Sequence, residues 1–318
     1  MDPCMETNED TIWLAPLHGI TYYYFRNVLF QHCAGIDRVI APFVPAQLHD
    51  KLNVKKWVDL HPENNPFIPI IPQLMGNDPQ AMVDTILALQ KTYSFPVINW
   101  NIGCPMNPIV RKKRGCGIMP YLSMIEEVVQ KVNDETTISF SIKMRLGMLK
   151  KEEGIEIIKM LNHYPIENII IHPRLGIQQY EGMVDLDAFE EMISDSKHKI
   201  VYSGDIVDLD GYQELKHRFS KITDWMIGRG ALRDPFLIQE IKSQNKISKQ
   251  EKKELFQSYY EDIKYSLYSL KGEQSALPKL KELWKYYAHF FNLSEEALRS
   301  LLQCRDVMEF EKAITLIS

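Results

Sequence analysis

A cysteine set between a glycine and a proline, Cys104 in V-I-N-W-N-I-G-C-P over residues 97–105, is the side chain best placed to react. The β-branched and aromatic residues before it read as a strand, and Pro105 ends the ladder. A thiol at such an exit can serve as acid, nucleophile or metal ligand, according to its pKa and neighbours. The competing reading is a buried cysteine packed as a small hydrophobe. Polar or special residues also follow the other apolar runs: Pro16 and Leu17 in A-P-L-H-G, Gln73 in Q-L-M-G, Asn101 in N-I-G-C, Lys143 and Arg145 in K-M-R, and His172 and Arg174 in H-P-R. The last two runs end in Ser203-Gly204-Asp205 and Gly228-Arg229-Gly230.

Glycines in the last two segments would let backbone N–H groups approach a phosphate while Arg229 neutralises it, although G-R-G alone is also an ordinary turn. A flavin mononucleotide fits the remaining exits. Lys143 and His172 could face the pyrimidine edge of its ring and stabilise negative charge there, and Gln73 can both donate and accept hydrogen bonds. Taken singly, His172 reads equally as a satisfied barrel histidine and Lys143 as a solvated or ion-paired lysine.

The elements that must position these groups alternate regularly. Strands are predicted over 11–16, 39–44, 68–74, 97–102, 138–145, 168–172, 199–203 and 224–227, with helices over 78–92, 121–133, 152–163, 185–194 and 208–219. Asp78-Pro79 supplies an N-cap and a first-turn proline. Eight strands with intervening helices predict a (β/α)8 TIM barrel over 1–243. No G-x-G-x-x-G opens a helix after the first strand, which removes support for a dinucleotide fold. From about residue 247 the strand-like runs stop and helical spacing continues to the end, so 244–318 is predicted to be a small all-helical domain. Counted from Lys246 it holds 12 Lys and Arg against 11 Asp and Glu, a balance compatible with either an RNA-facing appendage or a brace for the barrel.

The 318 residues, 45% hydrophobic, support a sizeable core, and the net charge of −5 gives no global attraction to nucleic acid. Cys4, Cys33, Cys104, Cys116 and Cys304 form an odd set without a C-x-x-C pair, which argues against a disulfide framework and a structural metal. A reducing cytoplasm is the expected location. The acidic start M-D-P-C-M-E-T-N-E-D resembles neither a secretory signal nor a transit peptide, and no apolar run is long enough to span a membrane.

Together these segments resemble the tRNA-dihydrouridine synthase family. The matching residues are A-P-L-H-G-I-T with Phe25-Arg26, Q-L-M-G, N-I-G-C-P, I-K-M-R, I-H-P-R with Tyr180-Glu181-Gly182, S-G-D-I and M-I-G-R-G-A-L-R-D-P-F, in family order over roughly 11–240. The resemblance implies a (β/α)8 barrel with FMN at its mouth, NADPH as reductant, and a helical domain that helps grip transfer RNA. Cys104 would be the general acid, with Asn101, Arg145 and Arg174 toward the substrate. Pro16, Leu17, Gln73, Lys143, His172, Ser203, Gly204, Asp205, Gly228 and Arg229 would hold the cofactor. No metal is implied, and a monomer is expected. A flipped-out uridine would receive hydride at C6 and a proton at C5. Arg111-Lys112-Lys113-Arg114, close after Cys104, would meet RNA phosphates. Ribosomal RNA as substrate, or a small-molecule FMN oxidoreductase on the same barrel, are the alternatives. Leu17, Asn99, Ser203 and the H-P-R-L-G segment depart from the usual family pattern, which bears on substrate contacts more than on flavin chemistry.

Overall fold

The computed structural model describes residues 9–317, so Cys4 and most of the acidic start lie outside the described residues. Ten parallel strands form the sheet: β1 (Thr11–Leu14), β2 (Arg38–Ile40), β3 (Val44–Pro45), β4 (Ile70–Ile71), β5 (Gln73–Met75), β6 (Val97–Ile102), β7 (Ser139–Gly147), β8 (Ile166–Leu175), β9 (Ile200–Tyr202) and β10 (Asp224–Ile227). The expected eight become ten because Pro42 and Pro72 each interrupt a strand where a backbone N–H is missing. The two halves still pair in step, β2 with β4 and β3 with β5, and β1 pairs with both β2 and β10. Pairing therefore passes around the TIM barrel.

The helices are α1 (Tyr23–His32), α2 (Pro79–Tyr93), α3 (Asn107–Val110), α4 (Leu122–Glu135), α5 (Glu152–Leu161), α6 (Leu186–Ser194), α7 (Leu209–Arg218), α8 (Arg229–Arg233) and α9 (Leu237–Ser243). Asp78, Asp185 and Asp208 cap α2, α6 and α7 by accepting from Ala81, Ala188 and Gly211 N–H. Helix α1 was missing from the sequence expectation, because its tyrosines and mixed polar positions carry little periodicity. After α9 come α10 (Lys249–Lys271), α11 (Glu273–Phe290), α12 (Glu295–Gln303) and α13 (Val307–Thr315), with α10 packed on α1. No described helix is long and apolar enough to cross a membrane.

The barrel interior is divided. Trp13, Ile40, Ile170, Val201 and Met226 form an apolar cluster of their own. On the side of β5, β6 and β7 the matching positions are polar: Gln73 lies beside Asn99, Asn99 beside Ser141, and Asn101 beside Lys143.

Residues 49–64 form four short 3-10 turns that the sequence expectation left out. They are held to α1 by Arg26, whose side chain is inaccessible to solvent. Nη1 donates to Asp59 Oδ2 at 3.1 Å and to Thr21 O at 2.6 Å, and Nη2 donates to Asn65 Oδ1 at 2.6 Å. Burial dominates both partners, lowering the pKa of Arg26 and raising that of Asp59, so each charge is tolerated only beside the other. Arg26→Met is expected to lower the unfolding free energy by about 3 kcal/mol in urea denaturation. The double variant with Asp59→Leu should recover part of that loss. A single variant as stable as the parent would show that the pair does not anchor these turns.

Candidate active site

Cys104 leaves β6 on a loop built by Asn101. Asn101 Oδ1 accepts from Gly103 N and Cys104 N, both at 3.0 Å, while its Nδ2 donates to Gln73 Oε1 at 2.9 Å. Gln73 Nε2 donates to Asn99 Oδ1 at 2.7 Å, and Asn99 Nδ2 donates to Ser141 Oγ at 2.9 Å. This buried polar ladder fixes the strand exits against one another. It leaves Asn101 and Gln73 one amide hydrogen each for a ligand. Gly115, at φ +55°, lies under the same loop, where a Cβ would run into the Cys104 carbonyl oxygen.

The Cys104 thiol has its pKa raised by burial, against smaller downward pulls from the Met106 backbone, Arg145 and Lys143. It is therefore a thiol and not a thiolate at neutral pH. Lys143 makes no hydrogen bond or ion pair among the described residues. Burial, and then Arg145, lowers its pKa to about 8. Arg145 donates through Nε to Gly103 O at 3.0 Å and through Nη1 to Leu175 O at 2.9 Å.

His172 Nδ1 donates to Ser203 O at 2.6 Å, and its Nε2 accepts from Arg174 Nη1 at 3.2 Å. Burial first, then Arg145 and Lys143, holds its pKa well below the ordinary value, which agrees with a neutral imidazole used at both nitrogens. Arg174 is fully engaged, by His172, Gly182 O and Asp205. Asp205 Oδ1 also accepts from Arg229 at 2.7 Å. Of the four cations Lys143, Arg145, Arg174 and Arg229, only Arg174 and Arg229 pair with a carboxylate among the described residues, that of Asp205.

The residues singled out from the sequence meet at this mouth. Ser203, Gly204 and Asp205 follow β9, Gly228 and Arg229 follow β10, and Pro16 and Leu17 follow β1. A Cβ on Gly228 would lie 3.3 Å from Ala15 Cβ, so the β1 and β10 exits adjoin. The N–H groups of Gly204 and Gly228 donate to no described residue. Arg111, Lys112 and Lys113 are exposed, Lys113 with its ammonium 4.1 Å from the Tyr121 ring centre, whereas Arg114 is half-buried and its Nε donates to Asn77 Oδ1. No cluster of three or more metal-ligating side chains occurs among the described residues.

Tyr180 received no role in the sequence expectation, yet the Arg145 and Arg229 guanidinium groups lie 5.2 and 4.8 Å from its ring centre. Its motif was visible, but its place between two arginines depends on how β8 continues past the barrel rim. Ser141 was likewise legible only as a strand residue, and Asn99 only as a departure from the usual family pattern.

A parallel barrel whose rim gathers an unpaired lysine, three arginines and a protonated thiol is an enzyme scaffold of the TIM-barrel class. Residues 13–315 match the family model described as dihydrouridine synthase (Dus), and the chain belongs to that family. It is 26% identical over 236 residues to tRNA-dihydrouridine synthase B of Pasteurella multocida (strain Pm70), covering 74% of this chain and 70% of the relative. It is 25% identical over 239 residues to tRNA-dihydrouridine(16) synthase of Aquipseudomonas alcaligenes, covering 72% and 74%. Among solved structures, morphinone reductase in complex with tetrahydroNAD shares the fold, with a TM-score of 0.51, 10% identity, and coverage of 74% of this chain and 87% of that one.

Gly115→Ala is expected to cost at least about 1–2 kcal/mol in urea denaturation, from the left-handed backbone alone. The overlap with the Cys104 carbonyl adds to that loss. An unchanged midpoint would mean that the loop is free to move aside.

Proposed function

We propose that this protein reduces uridine to 5,6-dihydrouridine in transfer RNA, using FMN at the barrel mouth and NADPH as reductant. The observation that carries the reading is the protonated Cys104 thiol facing an undercompensated cationic mouth in a chain of the dihydrouridine synthase family. The names of the relatives supply the RNA class.

The residues suit FMN on their own chemistry. Lys143 is a desolvated ammonium lacking a described counter-ion, and a flavin's electron-rich pyrimidine edge would supply one. The free N–H groups of Gly204 and Gly228, with Arg229, suit a phosphate; Ser203 and Asp205 shape that wall, Asp205 by holding Arg229. Pro16 and Leu17 would form the wall beside them, and Gln73 and His172 would meet the ring. When bound and reduced, FMN supplies hydride to uracil C6.

Cys104 then donates its proton to C5 from the opposite face, so that one hydride and one proton saturate the C5–C6 double bond. Burial holds that proton on sulfur against the nearby cations. The spare amide hydrogen of Asn101 would hold the uracil, with Arg145 beside it. Arg174 would reach substrate only by giving up one of its present partners, and otherwise positions His172 and Asp205. The helices over 244–318 would grip the RNA, and exposed Arg111 and Lys112 would meet its backbone.

Cys104→Ala should retain FMN and lose dihydrouridine formation by about 10²-fold or more, measured by mass spectrometry of an unmodified tRNA incubated with NADPH. Activity equal to the parent would overturn the acid assignment. FMN affinity should fall as pH rises through about 8, because Lys143 loses its charge there and the anionic ligand favours the cation. A fluorescence titration should show the dissociation constant rising up to about tenfold per pH unit above that point, and Lys143→Met should flatten the dependence. The same slope in both proteins would remove Lys143 from the cofactor contact.

A further inference from the structure

His18 follows β1 and Phe43 lies between β2 and β3, on the same rim as the cofactor-side residues. Their rings stack, with 4.6 Å between centroids and 13° between planes. Tyr22 meets His18 edge-on at 6.0 Å, with its hydroxyl 3.4 Å from His18 Nδ1. His18 is exposed, and Phe43 and Tyr22 are half-buried. Among the described residues no second ring stacks on His18.

Two contacts hold this shelf in place beside the mouth. Lys279 of α11 donates to Gly19 O at 2.7 Å, tying the C-terminal helices to the loop that carries His18, while Glu282 pairs with the same ammonium. Ala15, three residues before His18, packs beside Gly228 on the proposed phosphate wall. Partial desolvation against Phe43 and its loop, and then Lys279, lowers the His18 pKa, so the ring is neutral at neutral pH and presents a flat aromatic face.

A flat neutral stack at the rim of a pocket that takes one base is suited to another base, since aromatic side chains bind unpaired bases by stacking whatever their sequence. A uridine drawn into the mouth leaves its chain neighbours outside the rim. We infer that the His18–Phe43 stack is a platform for the nucleotide adjoining the reduced uridine. This rests on the RNA reading of the mouth.

The test is binding of a fluorescently labelled unmodified tRNA to the full-length, flavin-loaded protein, followed by anisotropy, with dihydrouridine formation measured on the same samples. His18→Ala should weaken binding about tenfold, within the range found for loss of one stacked base. His18→Phe, which keeps the ring and loses the nitrogen atoms, should stay within about twofold of the parent. Unchanged binding by His18→Ala would overturn the platform. So would equal weakening in His18→Phe, which would assign the effect to hydrogen bonding. A parent protein that binds the RNA without reducing it would count against uridine reduction, while the ratio of variant affinities would still decide the platform. A parent that does not bind the RNA would overturn both.

Discussion

The constraint on which the site depends is charge withdrawn from water without full compensation. Arg174 and Arg229 share Asp205, Arg145 is held by two carbonyl oxygens, and Lys143 has no described partner. Desolvation penalises each of these charges, and their mutual repulsion adds to the penalty. The effect is visible in Lys143, whose pKa falls to about 8 through burial first and Arg145 second. It is visible again in His172, which Arg145, Lys143 and Arg174 help to hold neutral. A fold tolerates such an arrangement where an anion returns what solvation has lost. On electrostatic grounds this supports the proposal that the mouth binds an anion, before any residue is given a catalytic role.

Cys104 shows how two opposing effects are resolved. Nearby cations would stabilise a thiolate and make the residue a nucleophile. Burial opposes them and wins, leaving the pKa above its ordinary value. The thiol thus keeps the proton that an acid must deliver. The polar ladder from Ser141 through Asn99 and Gln73 to Asn101 fixes the backbone from which the thiol projects, because Asn101 Oδ1 accepts from Cys104 N.

Much of this was legible in the sequence where a local rule applied. The strand over Val97–Ile102 and the strand over Asp224–Ile227 have the expected bounds, since β-branched and aromatic runs end at glycines there. Asp78-Pro79 marked the start of α2 for equally local reasons. Two barrel strands were misjudged as continuous because Pro42 and Pro72 sit inside apolar runs, and the neighbouring residues keep the same pairing order on both sides of each break. The turns over 49–64 have little periodicity and are held by Arg26 from a distant helix, a contact no short pattern encodes. Asn101 was marked for its position, yet its bond to Gln73 needed the register of β5 against β6.

On the proposed reading, the positions of Cys104 and the C-terminal helices constrain how a substrate can enter. Cys104 leaves β6, whereas Lys279 joins α11 to the loop after β1. Counting around the barrel through the paired halves β2 with β3 and β4 with β5, β6 lies three strands from β1, nearly opposite it across the mouth. An RNA held by the helical end and by the β1 rim must therefore extend a base across the opening to meet the thiol. The cationic groups on β7, β8 and the β10 exit lie along the intervening arc. For the proposed RNA substrate, the joint of Lys279 to Gly19 O would set the distance between the helical end and the base that meets Cys104.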